Sequence, residues 1–221
     1  MERLQLEDES NIEVISKEES ILYRVLKRFL DVVLSTIGLV ILSPVLLIVA
    51  ILIKLESKGP VFYAHKRLGK NREYINLYKF RSMHENSREI FDGFTEEQKK
   101  EYYENFKLED DPRVTKIGDF IRKTSIDELP QLVNVIKGDM SLVGPRPIVE
   151  DEVIKYGEYA DKFFSVIPGI TGYWQANGRS DTTYEERVQM DIFYVENRGL
   201  ILDFKIILKT FVSVLRKEGA V

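Results

Sequence analysis

From Val32 to Ile53 the chain runs 22 residues without a charge, VVLSTIGLVILSPVLLIVAILI. At about 1.5 Å rise per residue a helix over this stretch reaches roughly 33 Å, enough to cross a bilayer. As the core helix of a soluble protein it would need protein on every side. Ser43-Pro44 sits at its middle, where proline removes a backbone donor and disfavours α geometry in the residue before it, so a kink or break is expected there. Lys17, Arg24, Lys27 and Arg28 precede the stretch, and Lys54, Lys58, Lys66, Arg67, Lys70 and Arg72 follow it. The positive-inside tendency places both flanks on one side of a membrane. A kinked crossing helix competes with a re-entrant one, and the flanking charges favour the re-entrant helix. It would enter, turn at Ser43-Pro44 and leave through the same face, keeping Asp31 near the interface beside Lys27 and Arg28.

The pattern changes on either side. Residues 1–20 are polar and acid-rich, without the basic start and short apolar core of a secretory signal, and read as a cytosolic lead-in. Residues 59–83 alternate aromatic, β-branched and basic residues around Gly69-Lys70-Asn71, which predicts a small β-hairpin. Its basic face suits an anionic membrane surface, substrate phosphates, or both. Residues 84–110 are charge-dense with helical spacing and predict an exposed amphipathic insertion. A short helix follows over Val114 to Thr124. In SIDELPQLVNVIKG, Leu129, Leu132, Val133 and Ile136 recur at i, i+3, i+4 and i+7, one apolar face of a helix that stops at Gly138. Asp127 is the favoured N-cap, because Pro130 then falls at the third helical position, where no donor is needed. Ser125 with Glu128 also fits a capping box. An acid at a helix start is as readily a cap as a chemical group, and this motif alone leaves both open. Gly144-Pro145-Arg146-Pro147 presents one arginine on rigid backbone, for a phosphate or for a loop salt bridge. Pro168 to Gly172 reads as a tight loop, followed by Asn177-Gly178-Arg179. Residues 200–217 predict an apolar helix with a thin polar stripe of Lys205, Lys209, Ser213 and Arg216, which would pack on the core or lie on a membrane.

The fold class expected is therefore α+β, mainly helical, with a re-entrant membrane helix, a small β-hairpin and amphipathic interfacial helices. The division is 1–20 cytosolic lead-in, 21–58 interfacial segment and re-entrant membrane helix, and 59–221 a cytosolic membrane-associated domain that holds the candidate catalytic residues. Composition narrows the chemistry. The 221 residues contain no cysteine and two histidines, which removes thiol nucleophiles and thiolate zinc sites and disfavours a histidine metal site. A net charge of −4 argues against nucleic acid as a partner and confines basic chemistry to local patches.

Lys79-Phe80-Arg81-Ser82-Met83, the run from Arg122 to Leu132, Ser141 to Pro147 and Pro168 to Gly172 follow the Ser43-Pro44 stretch in order. Together they resemble the bacterial sugar transferases, the monotopic polyprenyl-phosphate phosphoglycosyltransferases, over about residues 20–221. Tyr173 and Ala176 are small variations that bear at most on the donor. The resemblance implies transfer of a sugar 1-phosphate from a UDP-sugar to undecaprenyl phosphate, giving undecaprenyl-diphosphate-sugar and UMP with Mg2+, as the first step of surface polysaccharide assembly. It implies an active site at the cytoplasmic face of the bacterial inner membrane, with membrane lipids as surroundings and without the helices and extra domain that precede this unit in larger relatives. The branch it looks most like uses UDP-galactose, with UDP-glucose close behind. The oligomeric state stays open, a homodimer included.

Carried onto these residues, the resemblance makes Asp127 the nucleophile and catalytic Glu128 the Mg2+ ligand, with Asp127 sharing the metal. Arg122 and Arg146 are candidates to clamp phosphate oxygens, followed by Lys79 and Arg81. Arg179 and the Pro168 to Gly172 loop are candidates for the nucleotide, and Lys27 and Arg28 for the lipid phosphate or the headgroups. Two rivals remain: a membrane scaffold whose dyad only caps a helix, and direct one-step transfer with Asp127 as a base.

Overall fold

The computed structural model describes residues 20–105, 108, 110–178 and 182–216, so residues 1–19 of the predicted lead-in lie outside it. The apolar stretch forms α1, Ile21–Glu56, 36 residues long. The break expected at Ser43-Pro44 is absent, and the helix is continuous through it. Pro44 has no N–H to offer the Val40 carbonyl four residues back, and the Ser43 hydroxyl donates to that carbonyl at 2.8 Å instead. The dipeptide thus repairs the bond its own proline removes.

Only 11% of the most apolar 18-residue window of α1 is buried. What is buried forms one stripe, Asp31, Ser35, Val49 and Ile53, extended by Leu46 and Ala50. Successive turns place these positions on one side, with whole turns skipped between Ser35 and Leu46, so one face of α1 follows the rest of the protein. The opposite faces leave Leu34, Ile37, Val40, Ile41, Leu47, Ile48 and Ile51 exposed, an apolar surface too large for a soluble helix.

Both ends of α1 are bonded to the following domain. At its start the Lys27 ammonium donates to the Val143 carbonyl at 3.0 Å and to Asp203 at 2.7 Å. Arg28 donates to the Val135 and Ile136 carbonyls at 2.6 and 2.8 Å, and Asp31 accepts from the Leu142 N–H at 3.0 Å. Lys27 and Arg28, expected to meet lipid phosphate or headgroups, are instead engaged inside the protein. At the far end Glu56 accepts from the Ile117 N–H at 3.1 Å, in the first turn of α4, Lys116–Lys123.

The predicted hairpin is β1, Phe62–Leu68, against antiparallel β2, Tyr74–Phe80, with Tyr63 opposite Lys79, His65 opposite Leu77 and Arg67 opposite Ile75. The insertion folds as α2, Ser87–Asp92, and α3, Glu96–Asn105. Its Phe91, Phe94 and Tyr102 rings close around the Arg113 guanidinium at 5.2, 5.2 and 5.0 Å. After α4 come α5, Gln131–Lys137, and β3, Ser141–Val143, which pairs in parallel with β4, Gly169–Thr171. A 3-10 stretch, Glu150–Tyr159, and α6, Ala160–Phe163, lie between them. The chain ends with α7, Tyr173–Asn177, α8, Tyr184–Asn197, and α9, Leu200–Arg216. The α+β, mainly helical class is what the sequence predicted. The predicted polar stripe of α9 divides: Ser213 is buried with Asp203 and Ile206, while Ile201, Phe204, Leu208 and Phe211 form an exposed apolar face.

One buried side chain joins the hairpin to α5. Asn134 accepts from the Tyr78 N–H at 3.0 Å and donates to the Asn76 carbonyl at 2.8 Å, bonding the outer edge of β2. Asn134→Leu takes the side-chain partner from both main-chain groups, at about 1–3 kcal/mol for a group that water does not reach. A thermal melt in detergent is expected to show a clear loss of stability, and an unchanged midpoint would refute this bracket.

Candidate active site

The dyad sits where α4 hands the chain to α5. Thr124 ends α4, Ser125 takes the left-handed conformation at φ 55°, and Ile126–Glu128 forms a single 3-10 turn. Neither Ser125 nor Asp127 caps the helix. The residue before α5 is Pro130, and no side chain accepts a bond from its first turn. The expected Asp127 cap is therefore corrected. Pro130 adopts helical geometry at φ −59° as the residue outside the helix, so its missing donor costs nothing. Asp127 is left buried in the turn with its carboxylate free of that structural duty.

Three cations converge on the turn. Lys79, from β2, donates to Glu128 Oε1 at 2.7 Å, and Arg146 reaches the same oxygen at 3.3 Å. Arg122, from α4, donates through Nε to the Ser82 hydroxyl at 2.9 Å and acts on the charge of Asp127. The two carboxyls respond oppositely. Burial, then the Glu128 charge, raise Asp127 to about 6 against the pull of Lys79, Arg122 and Arg146. Burial would raise Glu128 as well, but Lys79 and Arg146 outweigh it and hold that carboxyl below its usual range. Adjacent acids driven apart in this way mark a chemical site more than a structural one.

Lys79, Arg122, Arg146, Asp127 and Glu128 are thus brought together as the sequence suggested. Arg81 is placed elsewhere. Its guanidinium donates to the main-chain carbonyls of Lys58 and, at 2.9 Å, of Ser57, closing the end of α1 rather than meeting the dyad. Arg179 lies outside the described residues. Sequence reasoning passed over His65, Arg67 and Glu152. His65 and Arg67 share the hairpin face that carries Lys79. Burial, then Arg67, Lys79 and Arg146, lower His65 to about 4, so its imidazole is neutral at pH 7. Arg67 donates to Glu152 at 3.0 Å. Alternation along β1 marks these residues as one face, but only the register shows which face meets the dyad.

Arg146 is held by two glycine-lined backbones pressed together. The Gly144 N–H donates to the Thr171 carbonyl and the Gly169 N–H to the Pro145 carbonyl, both at 2.9 Å. A Cβ on Gly144 would lie 2.6 Å from the Ile167 carbonyl oxygen, closer than such atoms pack. The loop from Pro168 to Gly172 supports the strand that presents Arg146.

No group of three or more potential metal-ligating residues gathers among the described residues. The dyad nonetheless fits a hard divalent ion. Mg2+ takes one or two carboxylates together with substrate phosphate and water, and two adjoining carboxylates, one raised toward neutrality by burial and its neighbour, are what a cation would relieve. Glu128 and Asp127 would hold it.

Residues 22–217 match the family model for bacterial sugar transferases. The chain is 48% identical over 200 residues to an uncharacterized sugar transferase of Haemophilus influenzae, and 46% identical over 200 residues to an undecaprenyl-phosphate galactose phosphotransferase of Salmonella typhimurium. Each alignment takes in 89% of this chain and 42% of the relative, so the chain spans well under half the length of either. It is 43% identical over 197 residues to the exopolysaccharide production protein ExoY of Sinorhizobium fredii, covering 88% of this chain and 87% of that protein. With its dyad, its cations and its apolar helix in the places the alignment spans, this chain belongs to the bacterial sugar transferase family.

Proposed function

We propose that this protein transfers galactose 1-phosphate from UDP-galactose to undecaprenyl phosphate, releasing UMP, at the cytoplasmic face of a bacterial inner membrane. The observation that carries this reading is the buried Asp127 beside Glu128 among Lys79, Arg122 and Arg146. Both substrates are phosphate anions, and cations fixed in a largely dry site lower the cost of bringing them together. The galactose donor is suggested by the Salmonella relative's name.

The transfer proceeds in two displacements. An Asp127 carboxylate oxygen attacks the β-phosphorus of the donor, the bond from that phosphorus to the bridging oxygen breaks, and UMP leaves with the bond's electrons. The sugar phosphate then rests on Asp127 as an acyl phosphate. A phosphate oxygen of undecaprenyl phosphate attacks the same phosphorus, forms the diphosphate and returns Asp127 as a carboxylate. Lys79 and Arg146 keep Glu128 ionised, and Arg122 and Arg146 hold phosphoryl oxygens. Mg2+ on the dyad carboxylates would supply charge neutralisation for the transferred phosphoryl group.

The lipid carrier sets the location. We read both ends of α1 as lying on one side of the membrane, the helix bending at Pro44 within its continuous run rather than breaking there, because side chains at its start and at its end bond the same domain. The exposed apolar faces of α1 and α9 supply the surface that enters the lipid.

The decisive experiment measures UMP release by purified protein with undecaprenyl phosphate, Mg2+ and a panel of UDP-sugars. Asp127→Asn is expected to lower the rate by roughly a thousandfold or more while the protein stays folded. Without lipid acceptor, UDP-galactose is expected to leave a hexose-phosphate adduct on the Asp127 peptide in mass spectrometry, and its absence would favour one-step transfer.

The pH dependence follows from the dyad. Asp127 attacks only when deprotonated and its pKa is raised to about 6, so kcat/KM for the donor should rise with pH through that region and then level. Raising Mg2+ should move this limb to lower pH, and a rate that falls as pH rises from 5 to 7 would contradict Asp127 as nucleophile. Topology is checked in this cysteine-free chain with Ser20→Cys and Lys70→Cys. An impermeant maleimide should label both from one side of sealed vesicles, and labelling from opposite sides would require a crossing helix.

A further inference from the structure

Arg67 projects from the dyad-facing side of β1, opposite Ile75 and two residues along the face from His65. Its side chain is 16% exposed. One terminal nitrogen donates to Glu152 Oε2 at 3.0 Å, while its Nε is buried and has no acceptor among the described residues. Glu152 is fixed from its other side, where the Val149 N–H donates to the same oxygen at 2.9 Å and the Tyr184 hydroxyl to Oε1 at 3.4 Å. The carboxylate therefore steadies Arg67 by one nitrogen and leaves unfilled the Nε edge, which can make two parallel bonds to an oxyanion.

The surroundings show what would complete it. Arg146, Glu152, Glu128 and Tyr102 all act on the Arg67 charge. Burial, then the neighbouring Arg146, make the cation less comfortable than an ordinary arginine. A guanidinium withdrawn from water with a donor unmet and a second guanidinium nearby is a costly arrangement for a purely structural residue. An anion with several oxygens, arriving between Arg67 and Arg146, would relieve both deficits.

We propose that Arg67 is a further substrate-binding residue, gripping with Arg146 the phosphoryl oxygens of an incoming substrate on the Glu128 side of the dyad. The inference rests on the proposed transfer, in which those oxygens belong either to the donor diphosphate or to the phosphate of the lipid carrier. Glu152 is then the positioning residue that holds the arginine fork ready. Lysine, a single point of charge without the fork, could replace Arg67 only in part.

The test uses the full chain in lipid nanodiscs and compares Arg67→Met, Arg67→Lys and the double variant Arg67→Met with Glu152→Gln, which leaves no lone buried carboxylate. Binding of UDP and of uridine, and KM for undecaprenyl phosphate, are measured beside a thermal melt. Loss of two charge-assisted bonds should weaken either UDP binding or the lipid KM by about 10- to 100-fold in the double variant. Uridine binding should hold, and Arg67→Lys should recover part of the loss. The constant that moves identifies the substrate. If the double variant restores wild-type values for both, Arg67 serves only to neutralise Glu152 and the proposal falls. It falls equally if the folded single variant changes neither constant. Failure of the underlying function would appear separately, as wild-type protein that binds no UDP.

Discussion

Three charged side chains near the start of a largely apolar helix hold the molecule together. Lys27, Arg28 and Asp31 would be expensive to seat beside lipid without partners, and each is spent on main chain of an element that carries the site. Lys27 and Asp31 take the two ends of the Leu142–Val143 segment in β3, three residues before Arg146. Arg28 takes the last carbonyls of α5, the helix that begins just after Asp127 and Glu128. Tyr194 and Asp203 extend the same junction, with the Tyr194 hydroxyl donating to Asp203 at 2.8 Å and Asp203 paired to Lys27. The long apolar helix is thereby the part on which the dyad and its arginine are hung.

In the proposed transfer the acceptor phosphate is confined to a thin layer at the bilayer surface, so the domain would present Asp127 at that height. The α1 stripe runs beside α5 and β3 toward α4, and all three elements feed the dyad region. Asn134 adds the hairpin, so Lys79 arrives on a strand bonded to the same helix. The resulting charge pattern is asymmetric. Lys79 and Arg146 stand on the Glu128 side, while Asp127 is less compensated, so one acid is held below its usual range and the other is raised to about 6. That division suits a nucleophile beside a carboxylate that stays charged.

Much of this was legible in the chain. The uncharged run announced α1, the alternation around Gly69 announced the hairpin, and the spacing of Leu132, Val133 and Ile136 with Gly138 announced α5 and its end, where Gly138 has φ 97°. Ordered motifs pointed to Asp127, Glu128, Lys79, Arg122 and Arg146, and the fold gathers them. The errors fall where local rules were outweighed. Ser43-Pro44 did not break the helix because the serine hydroxyl stands in for the missing donor. Asp127 did not cap because the chain first makes a 3-10 turn, entered through Ser125 in a left-handed conformation that serine rarely adopts.

The sequence by itself determined the apolar helix, the hairpin and the end of α5 at Gly138, because these depend on periodicity and on groups adjacent along the chain. Only the tertiary structure decided which cations serve the dyad. Lys27, Arg28 and Arg81 are basic residues like Lys79 and Arg146, yet they bind main-chain carbonyls or a structural aspartate, whereas Arg67, read from the chain only as a charge flanking the apolar helix, faces the site. Whether a charge meets a substrate or satisfies the fold is a matter of distance and burial between residues far apart in sequence, and those are set by packing.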